Sequence, residues 1–273
     1  MKGRNNYVKI TLVITAAIIL SASLSVYAVD GREVMERVDE RDTGKTRHVL
    51  MGMDLIDENG NVRPRVVEVW SKKIDIKNDL DQTIMMFHEP ASVKNTRFLQ
   101  IENDGQDDDQ WIYLPDLGRV RRISGGQGED SFMGTDFTYD DMKSREIDDF
   151  VYEMLKEEEI NGYDCYVVEA VPKNPEEEQY AKTISWVTKE HYVPLKVEMY
   201  HKDTKKLYKE MVVESKVEKV SGVWTVYSIL MKNLDTGHST RLYVKQQNGK
   251  YLLEYNKKIS DRRFTQQYLK TGR

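Results

Sequence analysis

The sequence predicts a mainly β protein of the α+β type, an antiparallel meander of about 11–12 strands with a few short helices. Three observations predict it. Apolar residues recur at every second position over most of the chain, the period of a strand with one buried face. Turn pairs of the hairpin type, Asn161-Gly162, Ser221-Gly222 and Asn248-Gly249, separate those segments. Proline cannot donate to a β ladder, and all six prolines (Pro64, Pro90, Pro115, Pro172, Pro175, Pro194) fall at expected strand boundaries.

The first residues have a different character. Lys2, Arg4 and Lys9 precede an apolar stretch over 10–20, and small residues lead to Val26-Tyr27-Ala28, the pattern of a signal peptide cleaved after residue 28. An uncleaved anchor is the rival reading, since 10–28 approaches bilayer-spanning length. Ser21, Ser23 and Ser25 and the small residue at the end favour cleavage, so 1–28 is expected to be a signal peptide and 29–273 a single exported domain. Without its three basic residues the signal leaves 38 of the 41 Lys+Arg against 46 Asp+Glu, a net charge of about −8. That balance argues against nucleic acid as a partner.

One helix comes first, over 31–42, with Asp30 as its cap and Val34, Met35 and Val38 on one side. From Val49, Met51, Met53 and Leu55 the period becomes two, and Asp57 to Asn61 supplies a turn. Strands follow over 65–73, 82–89, 96–103, 109–114 and 119–123. After a polar stretch come 151–160 and 163–171, then 181–188, 195–201, 207–219, 223–232 and 239–246. Two pieces are not strand-like: 134–142, where Thr135 or Asp136 could cap a short helix, and 260–269, with Phe264, Tyr268 and Leu269 on one side.

Catalytic signatures are missing. The chain has no H-E-x-x-H, G-x-S-x-G, G-x-x-x-x-G-K-[ST] or G-x-G-x-x-G, and its five histidines lack metal-ligand spacing. No catalytic residue, metal or cofactor is therefore expected. The single cysteine, Cys165, lies in an apolar strand and reads as a buried, inert thiol. The acidic stretch over 102–109 departs from the EF-hand order and reads as a solvated hairpin loop rather than a calcium site.

The run from Asp107 to Ile123, closed by Ser131 to Phe137, reads instead as a binding element: a hydrophobic strand, a proline stop, an arginine-studded strand and an aromatic loop. Arg119 and Arg121 share one strand face and Arg122 takes the other. Guanidinium groups suit phosphate or carboxylate. Internal pairing with Asp116, Glu129, Asp130 or Asp136 is favoured over headgroup binding, so these rim arginines are expected to hold the loop. Alternation alone assigns an apolar ligand surface to Val49, Met51, Met53, Val67, Val69, Leu99, Ile101, Ile112 and Leu114, with Phe132, Met133 and Phe137 at its mouth. A slip of one residue would invert the strand part of that assignment.

These residues also resemble a known family. Phe87-His88-Glu89-Pro90, Thr96-Arg97-Phe98-Leu99, Trp111 to Pro115, Arg119 to Ile123 and Ser131 to Phe137 are similar to the LolA-like outer-membrane lipoprotein-sorting proteins. Tyr192 to Glu198 and Arg262-Arg263-Phe264-Thr265 extend the likeness over nearly the whole chain after residue 28. The resemblance implies an incomplete antiparallel β-barrel whose concave face is covered by helices and takes up acyl chains in the periplasm. It also implies one barrel arginine that helps hold the lid, for which Arg47, Arg65 and Arg97 are the candidates. Partners implied are lipoprotein or lipid acyl chains and an inner-membrane lipid exporter or outer-membrane acceptor, with the protein a monomer.

Three functions compete. A periplasmic carrier would shield acyl chains for trafficking to the outer membrane. A regulatory module would sense a partner or mislocalised lipid without transferring it. A hydrolase would need a site assembled from distant segments. The carrier is the leading expectation.

Overall fold

A computed structural model describes residues 29–75 and 80–273 of the chain. The expected signal peptide lies outside them. Among the described residues no helix is long and apolar enough to cross a membrane.

The chain opens with α1 (Gly31–Asp39), whose Asp30 carboxylate accepts from the Arg32 amide as the sequence pattern requires. Then come β1 (Thr46–Ile56), β2 (Val62–Asp75), β3 (Leu80–Glu89), β4 (Arg97–Ile101), β5 (Asp109–Leu114) and β6 (Arg119–Arg122). A long irregular segment over 123–149 leads to β7 (Phe150–Ile160), β8 (Tyr163–Pro172), β9 (Tyr180–Thr188), β10 (Pro194–His201) and β11 (Leu207–Val213). The rest is β12 (Glu218–Val220), β13 (Val223–Thr225), β14 (Ser228–Asn233), β15 (Ser239–Val244), β16 (Gln246–Gln247), β17 (Lys250–Tyr251), β18 (Leu253–Tyr255) and α2 (Gln266–Thr271).

Fourteen strands form one antiparallel sheet in the order β6-β5-β4-β3-β2-β1-β15-β14-β11-β10-β9-β8-β7, with β18 also pairing β1. The outermost strands, β6 and β7, do not pair with each other, so the sheet curls without closing. Side chains from strands far apart in that order, Phe98 of β4, Met53 of β1, Met231 of β14 and Met199 of β10, belong to one buried cluster. That is the concave face.

Strand count exceeds expectation because two long predicted strands are split and the short β16, β17 and β18 lie near the end of the chain. The stretch over 207–232 divides into β11 and β14, which stay in the sheet, and β12 and β13, which leave it as a hairpin over the Ser221-Gly222 turn. The hairpin's Val217 and Trp224 cover the outer face of β8 to β10, around Cys165, Val167, Ile184 and Trp186. Cys165 is fully buried there, and burial pushes its thiol up to about 11, which keeps it protonated. One proline is misplaced by the sequence reading: Pro64 lies inside β2, yet β3 pairs only from Val66 onward, so no ladder bond is lost at Pro64.

The two α-helices lie on opposite sides of the sheet. Only α1 sits on the concave side, its Val34 packed with Val168 and Val187. The C-terminal α2 packs on the outer face of β2 to β6, where Leu269 and Phe264 meet Trp70, Ile84 and Leu99. The helix expected over 134–142 shortens to a single 3-10 turn at Asp140–Met142, and Thr135 caps nothing: its hydroxyl donates to the Phe132 carbonyl at 2.7 Å. The middle of the concave face is covered by that irregular segment.

Candidate functional site

The cover is a small hairpin-like loop. Ser131 and Thr138 form a β-bridge, the Phe132 amide donates to the Phe137 carbonyl at 2.8 Å, and Thr135 N closes a turn on Phe132 O at 3.0 Å. Met133 and Gly134, at the turn's tip, both have left-handed backbones (φ 54° and 75°), a conformation glycine takes freely and methionine takes at a cost of about 1–3 kcal/mol. The turn aims Phe132 inward.

Phe132 is fully buried against Phe98 (5.1 Å, edge-on), Tyr139 (5.5 Å, edge-on) and Phe87 (6.3 Å). Such geometry adds about 0.5–1.5 kcal/mol per pair beyond burial. Phe137, Tyr139, Ile123 and the partly buried Met133 and Met142 complete the loop's apolar underside. Beneath them lie Val49, Met51, Met53, Val67, Val69, Ile112 and Leu114.

Polar clips hold the loop down. Arg65 of β2, half-buried on the concave face, donates from Nη1 to the Met133 carbonyl at 2.7 Å. Thr240 of β15 donates to the Asp136 carboxylate at 2.7 Å and accepts from the Asp136 amide at 3.0 Å. Gln110 of β5, itself buried, donates to the Tyr139 carbonyl at 2.9 Å. Asp141 accepts from Tyr180 Oη (2.9 Å), Gln179 Nε2 (3.0 Å) and the Thr138 amide (2.8 Å), and faces the Lys209 ammonium at 3.6 Å. Burial raises the Asp136 carboxyl and lowers the Lys209 ammonium from their ordinary values, because each charge is taken from water.

Of the three arginine candidates, Arg65 is the one that reaches the loop. Arg47 bonds Ser71 on the same face at 3.3 Å, while Arg97 points outward, donates to the Leu269 carbonyl at 3.2 Å and lies over the Tyr113 ring.

Ten of the twelve expected ligand residues thus share the concave side. Leu99 and Ile101 do not. In β4 the register pairs Phe98 with Ile112 and Met85, which face inward, so Leu99 and Ile101 turn to the outer face and pack under α2 and its neighbours. A strand buried on both faces shows no alternation to read: four of the five residues in β4 are buried. The inward residue is Phe98.

The rim arginines also differ from expectation. Arg119 and Arg121 sit on the inner side of the edge strand β6 and, among the described residues, make no ion pair; Arg122 faces outward and pairs with Asp109, not with Asp116, Glu129, Asp130 or Asp136. None of the three bonds the loop, which Arg65, Thr240 and Gln110 hold instead. In the acidic stretch over 102–109, Asp108 accepts from Ser144 and Gln100, and Glu102 accepts from the Asp81 amide at 2.7 Å.

An apolar cavity of about 260 Å³ remains beside the loop, between α1 and the inner side of β7 to β10. Met35, Val38, Phe150, Tyr152, Ala170 and Val197 line it, with Thr183, Ser185 and Arg145 as polar neighbours. Val197 of its lining also packs against the concave core. The sequence reading placed Met35 and Val38 on one helix side but did not connect them with the ligand surface. Pairing between β7 to β10, which brings their partners together, is invisible in a local pattern.

A family model described as "Uncharacterized protein" matches residues 79–271. No curated protein matches the chain. Among solved structures, a domain from Vibrio parahaemolyticus described as an outer membrane lipoprotein-sorting protein is 31% identical, with a TM-score of 0.78, covering 88% of this chain and 98% of its own. A DUF1329 family protein from Desulfovibrio piger is 30% identical with a TM-score of 0.79, covering 88% and 97%. A LolA superfamily protein from Nitrosomonas europaea, at 21% identity and a TM-score of 0.65 over 88% and 100%, shares the fold.

Proposed function

The chain belongs to the LolA-like outer-membrane lipoprotein-sorting family, and from that premise we propose that it is a periplasmic carrier of acyl chains, those of lipoproteins or other lipids, on its concave face. One observation carries the reading: the middle of the concave apolar surface is covered by a loop, not by a helix or a second sheet, and polar contacts at Arg65, Thr240 and Gln110 clip that loop in place.

Such a cover can come off. Hydrogen bonds of this kind contribute about 0.5–1.5 kcal/mol each net of water, and burial of Phe132 and Phe137 adds about 1.5–3 kcal/mol each, so the loop leaves when an apolar ligand replaces that burial. Phe132 and Phe137 then vacate apolar volume on the same concave side as the cavity beside α1, which at about 260 Å³ is small for a lipid by itself. An acyl chain in that space is kept from water at about 0.8 kcal/mol per buried CH₂, which offsets what it loses on leaving a bilayer, so the transfer needs no covalent step.

The test is native mass spectrometry with lipid extraction of the protein purified from its own cells, followed by transfer of a fluorescent acyl lipid between donor and acceptor vesicles. Bound lipid and protein-dependent transfer are expected. A protein free of lipid that also fails to take up the acyl probe would overturn the proposal.

A further inference from the structure

Lys209 is the unusual residue of the concave face. It lies on β11, 2% exposed, with its ammonium between the rings of Tyr180 (5.7 Å) and Tyr208 (5.2 Å). Register places it inward, opposite Met199 and under the loop. A lysine in an apolar core costs several kcal/mol unless its charge is met. Both carboxylates that meet it, Asp141 at 3.6 Å and the more distant Asp136, come from the loop segment over 131–142.

Arg65 is in the same position. It too faces inward, and it too is answered by the loop, through the Met133 carbonyl. The closed loop therefore imitates a ligand: its phenylalanines fill apolar volume while its oxygens satisfy one buried and one half-buried cation.

We infer that the ligand that replaces the loop carries an oxyanion, a phosphate or carboxylate joined to its acyl part, and that Lys209 is the residue that binds it. This inference rests on the acyl-carrier reading above. A neutral lipid that displaced the loop would leave Lys209 buried and unpaired. An anionic one restores the pairing and gains hydrogen bonds from the hydroxyls of Tyr180, Tyr208 and Thr240, which surround or adjoin the same site.

The experiment measures displacement of a fluorescent acyl probe by two lipids of equal chain, 1-oleoyl lysophosphatidic acid and 1-oleoyl monoacylglycerol, which differ by the phosphate. The wild-type protein should prefer the phosphate-bearing lipid by about tenfold or more, the scale of one charge-assisted hydrogen bond. Lys209→Met, which keeps the chain length and removes the charge, should bring the two within about twofold by weakening the phosphate-bearing lipid and strengthening monoacylglycerol. Lys209→Arg, with melting curves to show that both variants fold, should keep the preference.

Inorganic phosphate should bind far more weakly than the phosphate-bearing lipid; equal affinity would assign the site to a free anion and overturn the inference. An unchanged preference in Lys209→Met would also overturn it. Equal binding of both lipids by the wild type would overturn it while leaving the carrier standing; binding of neither would remove both.

Discussion

Arg65 Nη1 donates to the carbonyl oxygen of Met133 at 2.7 Å, joining a strand of the sheet to the left-handed tip of the loop that covers it. Arg65→Met should remove that clip and leave the sheet intact. Amide exchange over 131–138 is expected to speed up by about 5–30-fold, the equivalent of about 1–2 kcal/mol, with strand amides unchanged. Uniform acceleration across β1 and β2 would show that Arg65 supports the sheet rather than the loop.

Phe98 and Phe132 touch each other and are both fully buried, yet they should behave differently. Phe98→Ala, on a strand, should cost about 3–5 kcal/mol in urea unfolding. Phe132→Ala should cost less, because the loss is limited to the free energy of docking the loop, and it should tighten binding of an acyl probe. Equal losses of stability with no gain in binding would make the segment over 131–142 an inseparable part of the core.

Glu102 gives a pH dependence of definite sign. Burial, then the neighbouring Asp81 and Asp108 charges, push its carboxyl up to about 7, against a donated hydrogen bond from the Asp81 amide. The folded state therefore holds a proton that the unfolded chain has lost between about pH 4.5 and 7. The stabilising contribution is complete below pH 4.5 and disappears as pH rises through 7. Solvent screening limits it to roughly 1–2 kcal/mol. Glu102→Gln should flatten stability across that window and raise it at pH 8; a wild-type protein that gains stability from pH 5 to 7 relative to Glu102→Gln would contradict the assignment.

Leu269 is fully buried under the outer face, against Trp70, Ile84 and Leu99. Leu269→Ala should lower stability by about 2–5 kcal/mol, as a core truncation does. Acyl-probe affinity should not change, since α2 and the concave face lie on opposite sides of the sheet. A loss of affinity beyond what unfolding explains would mean that the two faces are coupled.

Legibility followed the burial pattern. A strand with one apolar face, such as β1, could be read from its alternation: Val49, Met51 and Met53 all turn inward as it implies, and so do Val67 and Val69 of β2. Buried on both faces, β4 lost that signal, and Leu99 and Ile101 were assigned to the wrong side. Lys209 was legible only as a polar position on a strand. Nothing local says that its solvent face is covered by residues some seventy positions earlier.

By itself the sequence determined the periods, turns and caps: antiparallel strands in chain order, Asp30 at the start of α1, reversals at Asn161-Gly162 and Ser221-Gly222, and apolar residues enough for a concave surface. These are local consequences of backbone preference and side-chain alternation. Tertiary structure alone decided what lies on that surface. The β1–β15 pairing joins the two halves of the sheet, and this long-range contact brings Arg65, Thr240 and Lys209 under one loop. Whether a covering segment is helix or loop, and which cations it answers, depends on contacts between residues distant in sequence.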